Sequence, residues 1–287
     1  MIYITGSNGF VGKNFINFLK NKKKKFKRIK RNNLSKSINS NYLNLPEIIG
    51  RNDKYLVHLS SPALVKLYRK KKYSSKEVSQ CLKNEISNAL SLIQYCKDYK
   101  FKKFIYISSS SVYGKRKYKA PFSERTKPYP NDDYSTIKLK VEKLIKKEFK
   151  NTIILRPFQI YGKYDNKNRL IPTLLCAKKN KTIFLQNCLQ VTDLIHVNDL
   201  CEIIYKILYS NINMGIYNVG SSIPIKLREI VELIHKFKKK SFSFVYKKSS
   251  SMKVTNYCFA NMKSLRKALM WRTKIIFNEK TIKLIKL

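Results

Sequence analysis

Tyr134 and Lys138 stand four residues apart at the start of an amphipathic segment, and a phenol sharing a helical face with a lysine is an arrangement for moving protons. A phenol of pKa about 10 is a poor base at neutral pH. A cation about 4 Å away, at an effective dielectric near 20, favours the phenolate by about 4 kcal/mol, roughly three pKa units, which brings the phenol toward neutrality. Spacing alone selects nothing, because 19 tyrosines among this many bases give four Tyr-x-x-x-Lys matches: Tyr68/Lys72, Tyr99/Lys103, Tyr113/Lys117 and Tyr134/Lys138. Only the last opens a predicted helix downstream of an apolar run that ends in hydroxyls, Phe104-Ile105-Tyr106-Ile107-Ser108-Ser109-Ser110-Ser111.

The second constellation is Thr5-Gly6-Ser7-Asn8-Gly9-Phe10-Val11-Gly12. Gly6, Gly9 and Gly12 follow an apolar strand and open an amphipathic helix. Glycine lets the backbone turn sharply and approach a pyrophosphate, whose charge is favoured by the open N–H groups of the helix N-terminus. Only eight glycines occur in the chain and three fall here, so cofactor binding by this loop, Asn8, Phe10 and Val11 included, outweighs an ordinary tight turn. At the end of the second strand an acid favours NAD and a base NADP. Arg31 occupies that position and tilts the choice between NAD and NADP slightly toward NADP, in a chain where bases are common everywhere.

The elements that must hold these residues follow from periodicity. Strands are predicted at Ile2–Thr5, Phe26–Lys30, Tyr55–Leu59, Phe104–Ser108 and Thr152–Leu155, with helices at Phe10–Leu19, Ser75–Tyr99 and Tyr134–Phe149. That alternation specifies an α/β fold, a doubly wound parallel sheet with its site at the carboxyl ends of the strands. Beyond Arg156 the pieces shorten: helices at Ile171–Lys179, Val197–Leu208 and Leu227–Phe237, a strand at Ile216–Val219, and a polar loop at Lys247–Ser251. The expected division is residues 1–165 as a Rossmann domain and 166–287 as a smaller α/β substrate lobe, with segments near 190–220 returning to the sheet.

Composition narrows the class. Hydrophobic residues at 43% and charged residues at 27% fit a globular protein, and no apolar run is long enough for a bilayer. The first strand begins at Ile2, so no leader is expected and the protein reads as cytoplasmic. Six scattered cysteines without a C-x-x-C pair argue against zinc and against a disulfide framework. The net charge of +44 invites a nucleic-acid partner, but the bases run along the whole chain among many Asn, Ile and Tyr, and the densest run, Lys22 to Lys25, falls in a predicted turn. A solvated basic surface is the preferred reading, one that also helps capture a doubly anionic ligand.

With the glycine loop ahead of them, the serine-rich strand end and Tyr134-Ser135-Thr136-Ile137-Lys138 resemble the short-chain dehydrogenase/reductase family, most closely its extended branch of nucleotide-sugar epimerases, ketoreductases and 4,6-dehydratases. Further matches carry the resemblance over nearly the whole chain: Val57-His58-Leu59-Ser60-Ser61, Asn84, Leu155-Arg156-Pro157-Phe158-Gln159-Ile160-Tyr161-Gly162, Asp193 to Leu200, Tyr217-Asn218-Val219-Gly220 and Leu265 to Trp271. The resemblance implies Ser109 as the hydroxyl that holds the reacting oxygen, with an adjacent serine taking over if the register slips. It implies Tyr134 as acid/base and Lys138 as its tuning cation and a cofactor ligand. Leu59, Ser60, Ser61, Asn84 and Pro157 would line the dinucleotide, and Ser110, Gln159, Arg169 and Lys253 the substrate. His196 reads as structural. A homodimer through the helices at Ser75–Tyr99 and Tyr134–Phe149 is implied by resemblance only.

The chain also departs from the pattern. The dehydratases carry an acidic pair after the catalytic hydroxyl, where this chain has Ser110 and Ser111. Gln159 stands where many relatives have Asn, Thr192 where an Arg often contacts the diphosphate, and Ser251 near the place of a second Arg. Lys163, Arg169 or Lys253 can supply replacement charge. The expected activity is therefore NAD(P)-dependent epimerisation or reduction by hydride transfer at a hexose C4 of a nucleotide-sugar. The alternative is a non-catalytic relative that binds dinucleotide or an anionic partner.

Overall fold

The computed structural model describes residues 1–31, 43–48, 53–61, 74–185, 189–246 and 256–285. Lys253, the predicted loop at Lys247–Ser251 and the pair Tyr68/Lys72 lie outside them. Strands β1 (Ile2–Thr5), β2 (Phe26–Arg31), β3 (Leu43–Asn44), β4 (Tyr55–His58), β5 (Lys103–Ile107), β6 (Thr152–Pro157) and β10 (Gly215–Val219) make one sheet in the order β10-β6-β5-β4-β1-β2-β3. Neighbours from β2 through β6 run parallel, with Ile2 opposite both Phe26 and Tyr55, and Phe104 opposite Thr152. The short β3 pairs antiparallel with β2. This is the doubly wound order that the alternation specified.

β1, β4, β5 and β6 are buried on both faces, as a parallel sheet between helical layers requires. Tyr3, Leu56, Phe104, Tyr106 and Ile154 share one apolar cluster with helices α2 (Ser75–Asp98) and α3 (Asp133–Glu148), which contribute Cys81, Ala89, Leu92, Ile93, Ile137, Val141 and Ile145. Both helices start at a side-chain cap. Ser74 and Glu77 form a reciprocal capping box, and the Asp132 carboxylate accepts from the Ser135 N–H at 2.7 Å and the Ser135 hydroxyl at 2.8 Å. The α3 cap fixes where the helix begins, and with it the face that Tyr134 and Lys138 share.

By compactness the chain divides into two units. The first contains Met1–Gly114, Pro128–Arg156 and Ile204–Tyr217. The second contains Lys115–Lys127, Pro157–Ile203 and Asn218–Leu287. Within the second, β9 (Val191–His196) lies between β11 (Pro224–Lys226) and β13 (Tyr257–Cys258), and also pairs with β7 (Gln159–Tyr161). A separate parallel pair joins β8 (Thr182–Leu185) to β12 (Ser243–Tyr246). Helices α4 (Leu170–Leu175) and α6 (Leu227–Phe237) bury Ile171, Leu174, Ile230, Val231 and Ile234 against Tyr161, Leu194 and Phe277. The helix predicted to run to Lys179 stops at Leu175, because the Lys238 ammonium takes the carbonyls of Leu175 and Ala177 at 2.9 and 2.8 Å and ends the ladder there. α5 (Val197–Tyr209), α7 (Lys263–Leu269) and α8 (Glu279–Ile282) complete the helices of the described residues.

Candidate active site

The glycine loop connects β1 to α1 (Phe10–Asn21), and its geometry requires glycine at two positions. Gly6 has φ +70°, and a Cβ there would meet the backbone of Leu59 and Ser60 at 2.7 Å. A Cβ on Gly12 would lie 2.1 Å from the Gly6 carbonyl oxygen. The turn is therefore pressed against its own helix and against the end of β4, where the Leu59 N–H reaches the Thr5 carbonyl at 3.3 Å. Gly9 begins α1 with no side chain capping the first turn and no acidic residue within it. A 12-residue helix thus opens without a side-chain cap beside a turn that has glycine at 6, 9 and 12, which suits a dinucleotide pyrophosphate. Asn8 and Gly9 are exposed, and Phe10 and Val11 half-buried, at this mouth.

Lys138 reaches the end of the next strands. Its Nζ donates to the Ser61 hydroxyl at 2.7 Å and to the Ile107 carbonyl at 2.9 Å, and lies 4.8 Å from the centre of the Tyr106 ring. The residue is 4% exposed. Burial pulls its pKa down to about 8, while the carboxylates of Glu85 and Glu142 oppose that fall, so it is still a cation at neutral pH. Tyr134 is half-buried one turn earlier on α3. The other tyrosine–lysine matches within the described residues do different work. Lys103 is on β5 and donates to the carbonyls of Ile207, Leu208 and Ser210 at the end of α5, and Tyr113 ends a short 3-10 turn under the Arg156 guanidinium, 4.7 Å from its ring centre.

Ser109 caps that 3-10 turn, Ser110–Tyr113, accepting from the Ser111 N–H at 3.1 Å and the Ser111 hydroxyl at 2.9 Å. With both of those donors received, its own hydroxyl proton is left to give. Ser110 is buried beside it, and the buried Ser108 hydroxyl has no hydrogen-bond partner among the described residues. Asn84 is half-buried on α2 and accepts from the Gln80 amide at 3.0 Å. Arg31 ends β2 opposite Leu43, so its backbone holds the position that tilted the cofactor choice. Leu59, Ser60 and Ser61 are half-buried at the end of β4.

In the second unit, Pro157 ends β6 and Gln159 opens β7. Arg169 precedes α4 and pairs with Asp165 at 3.1 Å, which engages part of its charge locally. Asp193 accepts from the N–H groups of Ser221, Ser222 and Ala260 and from the Ser221 hydroxyl, an anchoring carboxylate that tolerates only glycine at 220. His196 is buried against Tyr161, its Nδ1 accepts from the Asn198 N–H at 3.2 Å, and burial lowers its pKa to about 4. It is a neutral packing residue.

Three buried charges around Lys138 were not singled out from sequence. Glu142, four residues after Lys138, forms a bidentate pair with Arg156 of β6, with Nε at 3.0 and 3.2 Å and Nη2 at 2.5 Å. Glu85 is 2% exposed on α2. The signal for Glu85 is its place in the series Cys81, Glu85, Asn88, Ala89, Leu92 and Cys96, whose helical spacing sets a carboxylate on the buried stripe. Among the described residues no group of His, Cys, Asp and Glu is arranged to hold a metal, and no helix is long and apolar enough to cross a membrane.

Comparison with known proteins identifies the family and the fold. The profile of the NAD dependent epimerase/dehydratase family matches residues 2–220. A GDP-6-deoxy-D-talose 4-dehydrogenase from Aggregatibacter actinomycetemcomitans is 28% identical over 240 residues, covering 81% of this chain and 78% of the relative. Among solved structures, a UDP-N-acetylglucosamine 4-epimerase from Methanobrevibacter ruminantium M1, in complex with UDP-N-acetylmuramic acid, superposes with TM-score 0.79 at 21% identity over 99% of this chain and 96% of that one. RMD from Pseudomonas aeruginosa, complexed with NADPH, gives 0.77 at 20% identity over 99% and 96%. These likenesses establish a Rossmann-type fold.

Proposed function

Since the chain belongs to the NAD dependent epimerase/dehydratase family, we propose that it transfers hydride at C4 of a nucleotide-linked hexose, working as an NAD(P)-dependent 4-ketoreductase or 4-dehydrogenase. The observation that carries this is the set formed by Tyr134 and Lys138 on one face of α3, Ser109 at the end of β5, and hydroxyls rather than carboxylates at 110 and 111. Elimination of water across C5 and C6 needs an acid and a base beyond the tyrosine, and Ser110 and Ser111 are neither at neutral pH. Hydride transfer at C4 needs neither. The relative named a 4-dehydrogenase supports the same chemistry.

In this proposal the N–H groups at the start of α1 hold the pyrophosphate, and Leu59, Ser60, Ser61 and Asn84 line the dinucleotide. The dinucleotide supplies or accepts the hydride. Lys138 binds ribose hydroxyls and favours the phenolate of Tyr134. Tyr134 passes a proton between its phenol oxygen and the C4 oxygen, and Ser109 donates a hydrogen bond to that same oxygen. Arg31 favours NADP by its place at the end of β2. Gln159, Arg169 and Lys253 are the proposed substrate contacts, and a homodimer through α2 and α3 is the proposed assembly.

The test is to purify the protein, release and identify any bound dinucleotide, and incubate it with UDP-, dTDP-, GDP- and CDP-hexoses and their 4-keto derivatives. Consumption of NADPH with a 4-keto sugar is the expected result. Retained NAD with an interconverted pair of 4-epimers would make the same site an epimerase, which uses one hydride transfer in each direction. Failure to bind either dinucleotide would sink the proposal.

A further inference from the structure

Thr5, His58 and Tyr106 form one buried row across the carboxyl ends of β1, β4 and β5, with Thr5 opposite His58 and His58 opposite Tyr106. Side chains ties this row together as well as the backbone ladder. The Thr5 hydroxyl and His58 Nδ1 share a hydrogen bond at 2.6 Å. The His58 ring stacks on the Tyr106 ring, with centres 5.6 Å apart and planes 18° apart, and Lys138 Nζ stands 4.8 Å from the centre of that same Tyr106 ring. An imidazole and a hydroxyl cost more to bury than apolar side chains of like size unless each meets a partner, so the Thr5–His58 bond favours one alignment of β1 on β4. The residues that follow the row belong to the candidate site. Gly6, after Thr5, presses on the backbone of Leu59 and Ser60, after His58. Ile107, after Tyr106, gives its carbonyl to Lys138, and Ser61 gives its hydroxyl. His58 is the member of the row that touches both the glycine-turn side and the lysine side.

We propose that His58 is a positioning residue with two separable tasks: its Nδ1 holds Thr5, and with it the glycine turn, in place for a dinucleotide, and its ring is the shelf that sets Tyr106 under the Lys138 ammonium. The first task rests on the reading of the glycine turn as a dinucleotide cradle, and the second rests on no activity. The two tasks use different parts of the side chain. A ring without nitrogen keeps the shelf and loses the bond to Thr5, and an amide keeps a polar group for Thr5 and loses the shelf.

Two measurements on the full chain separate the tasks. The first is the dissociation constant of NADPH and of NADH by titration. Thr5→Val and His58→Phe each remove the hydrogen bond, and each is expected to weaken dinucleotide binding about tenfold. The double variant is expected within about twofold of either single one, because the same bond is lost once, and Thr5→Ser, which keeps the hydroxyl, within about threefold of wild type. Single effects that multiply in the double variant, or a folded Thr5→Val protein with wild-type affinity, overturn the first task. The second measurement is acetylation by acetic anhydride, read lysine by lysine by peptide mass spectrometry. With His58→Asn, Lys138 is expected to react several-fold faster than in wild type. Lys103, buried on the same strand as Tyr106 and held by the carbonyls at the end of α5, is expected to keep its wild-type rate. Thr5→Val and His58→Phe, which keep the shelf, should leave Lys138 slow. Acceleration of both lysines together means general loosening, and acceleration of neither means that the ring supports nothing; each overturns the second task. If His58→Asn does not fold, Tyr106→Leu, which removes the other ring of the stack, is read by the same outcomes. A wild-type protein that binds neither dinucleotide refutes the cradle reading and the first task with it, and the acetylation still decides the second.

Discussion

In the proposed mechanism Tyr134 and Lys138 divide the proton chemistry, so that two substitutions should fail differently. Tyr134→Phe removes the atom proposed to carry the proton, and general acid–base contributions of this kind are worth about 100- to 10,000-fold. The expected result is a loss of kcat/KM in that range with dinucleotide affinity and unfolding midpoint close to wild type. Lys138 is proposed to act through its charge. Its folded pKa is depressed to about 8, so the ammonium is present below that value and lost above it, and activity that needs the cation declines as pH rises through about 8. A rate that keeps climbing to pH 10 would show that the neutral amine suffices. The residues of this site were legible in unequal measure. The glycines and the Tyr134/Lys138 pair carry their signal in residue type and in their place after a strand, whereas the neighbours of the buried Glu85 depend on how α2 packs, which a single helix's sequence does not reveal. Ser61 was read as lining the dinucleotide, and its hydroxyl also holds Lys138, a contact between residues 77 apart in the chain.

Elements position those residues through contacts that leave no slack. The turn between β1 and α1 has no room for a methyl group at 12, so Gly12→Ala must push the helix away from the loop. Overpacking of this kind costs about 1–3 kcal/mol, and denaturant unfolding of the variant should show it together with weakened dinucleotide binding. If Gly12→Ala leaves both unchanged, the loop is not the rigid cradle described. β9 gives a second test. His196 at its end has a folded pKa lowered to about 4 from an ordinary value of 6.5, so the fold binds fewer protons there than the unfolded chain. Its neutral form stabilises the fold fully above pH 6.5, and up to about 3 kcal/mol is lost as pH falls from 6.5 through 4. His196→Asn, which keeps an acceptor for the Asn198 N–H, should flatten that part of the stability profile, measured by denaturant unfolding across the window. Most of the sheet was readable because β1, β4, β5 and β6 are buried along their whole length. In the second unit β8 and β12 are short, half-exposed and paired with each other across a long stretch of chain, so periodicity alone did not announce them.

The whole molecule carries 61 Lys and Arg against 17 Asp and Glu, and the structure ties few of these bases into ion pairs within the described residues. The +44 is what remains after every acid is counted against a base, and the use of that field depends on what it attracts. A nucleotide-sugar with two phosphate charges is drawn toward such a surface over distances set by the Debye length, about 30 Å at 0.01 M salt and about 8 Å at 0.15 M. The proposed chemistry at Tyr134 adjoins the buried Lys138, whose surroundings mobile ions screen less. Raising salt between those limits should therefore lower kcat/KM several-fold while kcat stays nearly constant, because only the encounter is screened. Measured initial rates over that range decide it. A kcat/KM indifferent to salt would mean that the charge plays no part in capture, and the basic surface would then need another explanation. Salt-sensitive binding of RNA without any sugar turnover would favour the non-catalytic alternative, since counterion release on phosphate neutralisation is the signature of a polyanion partner.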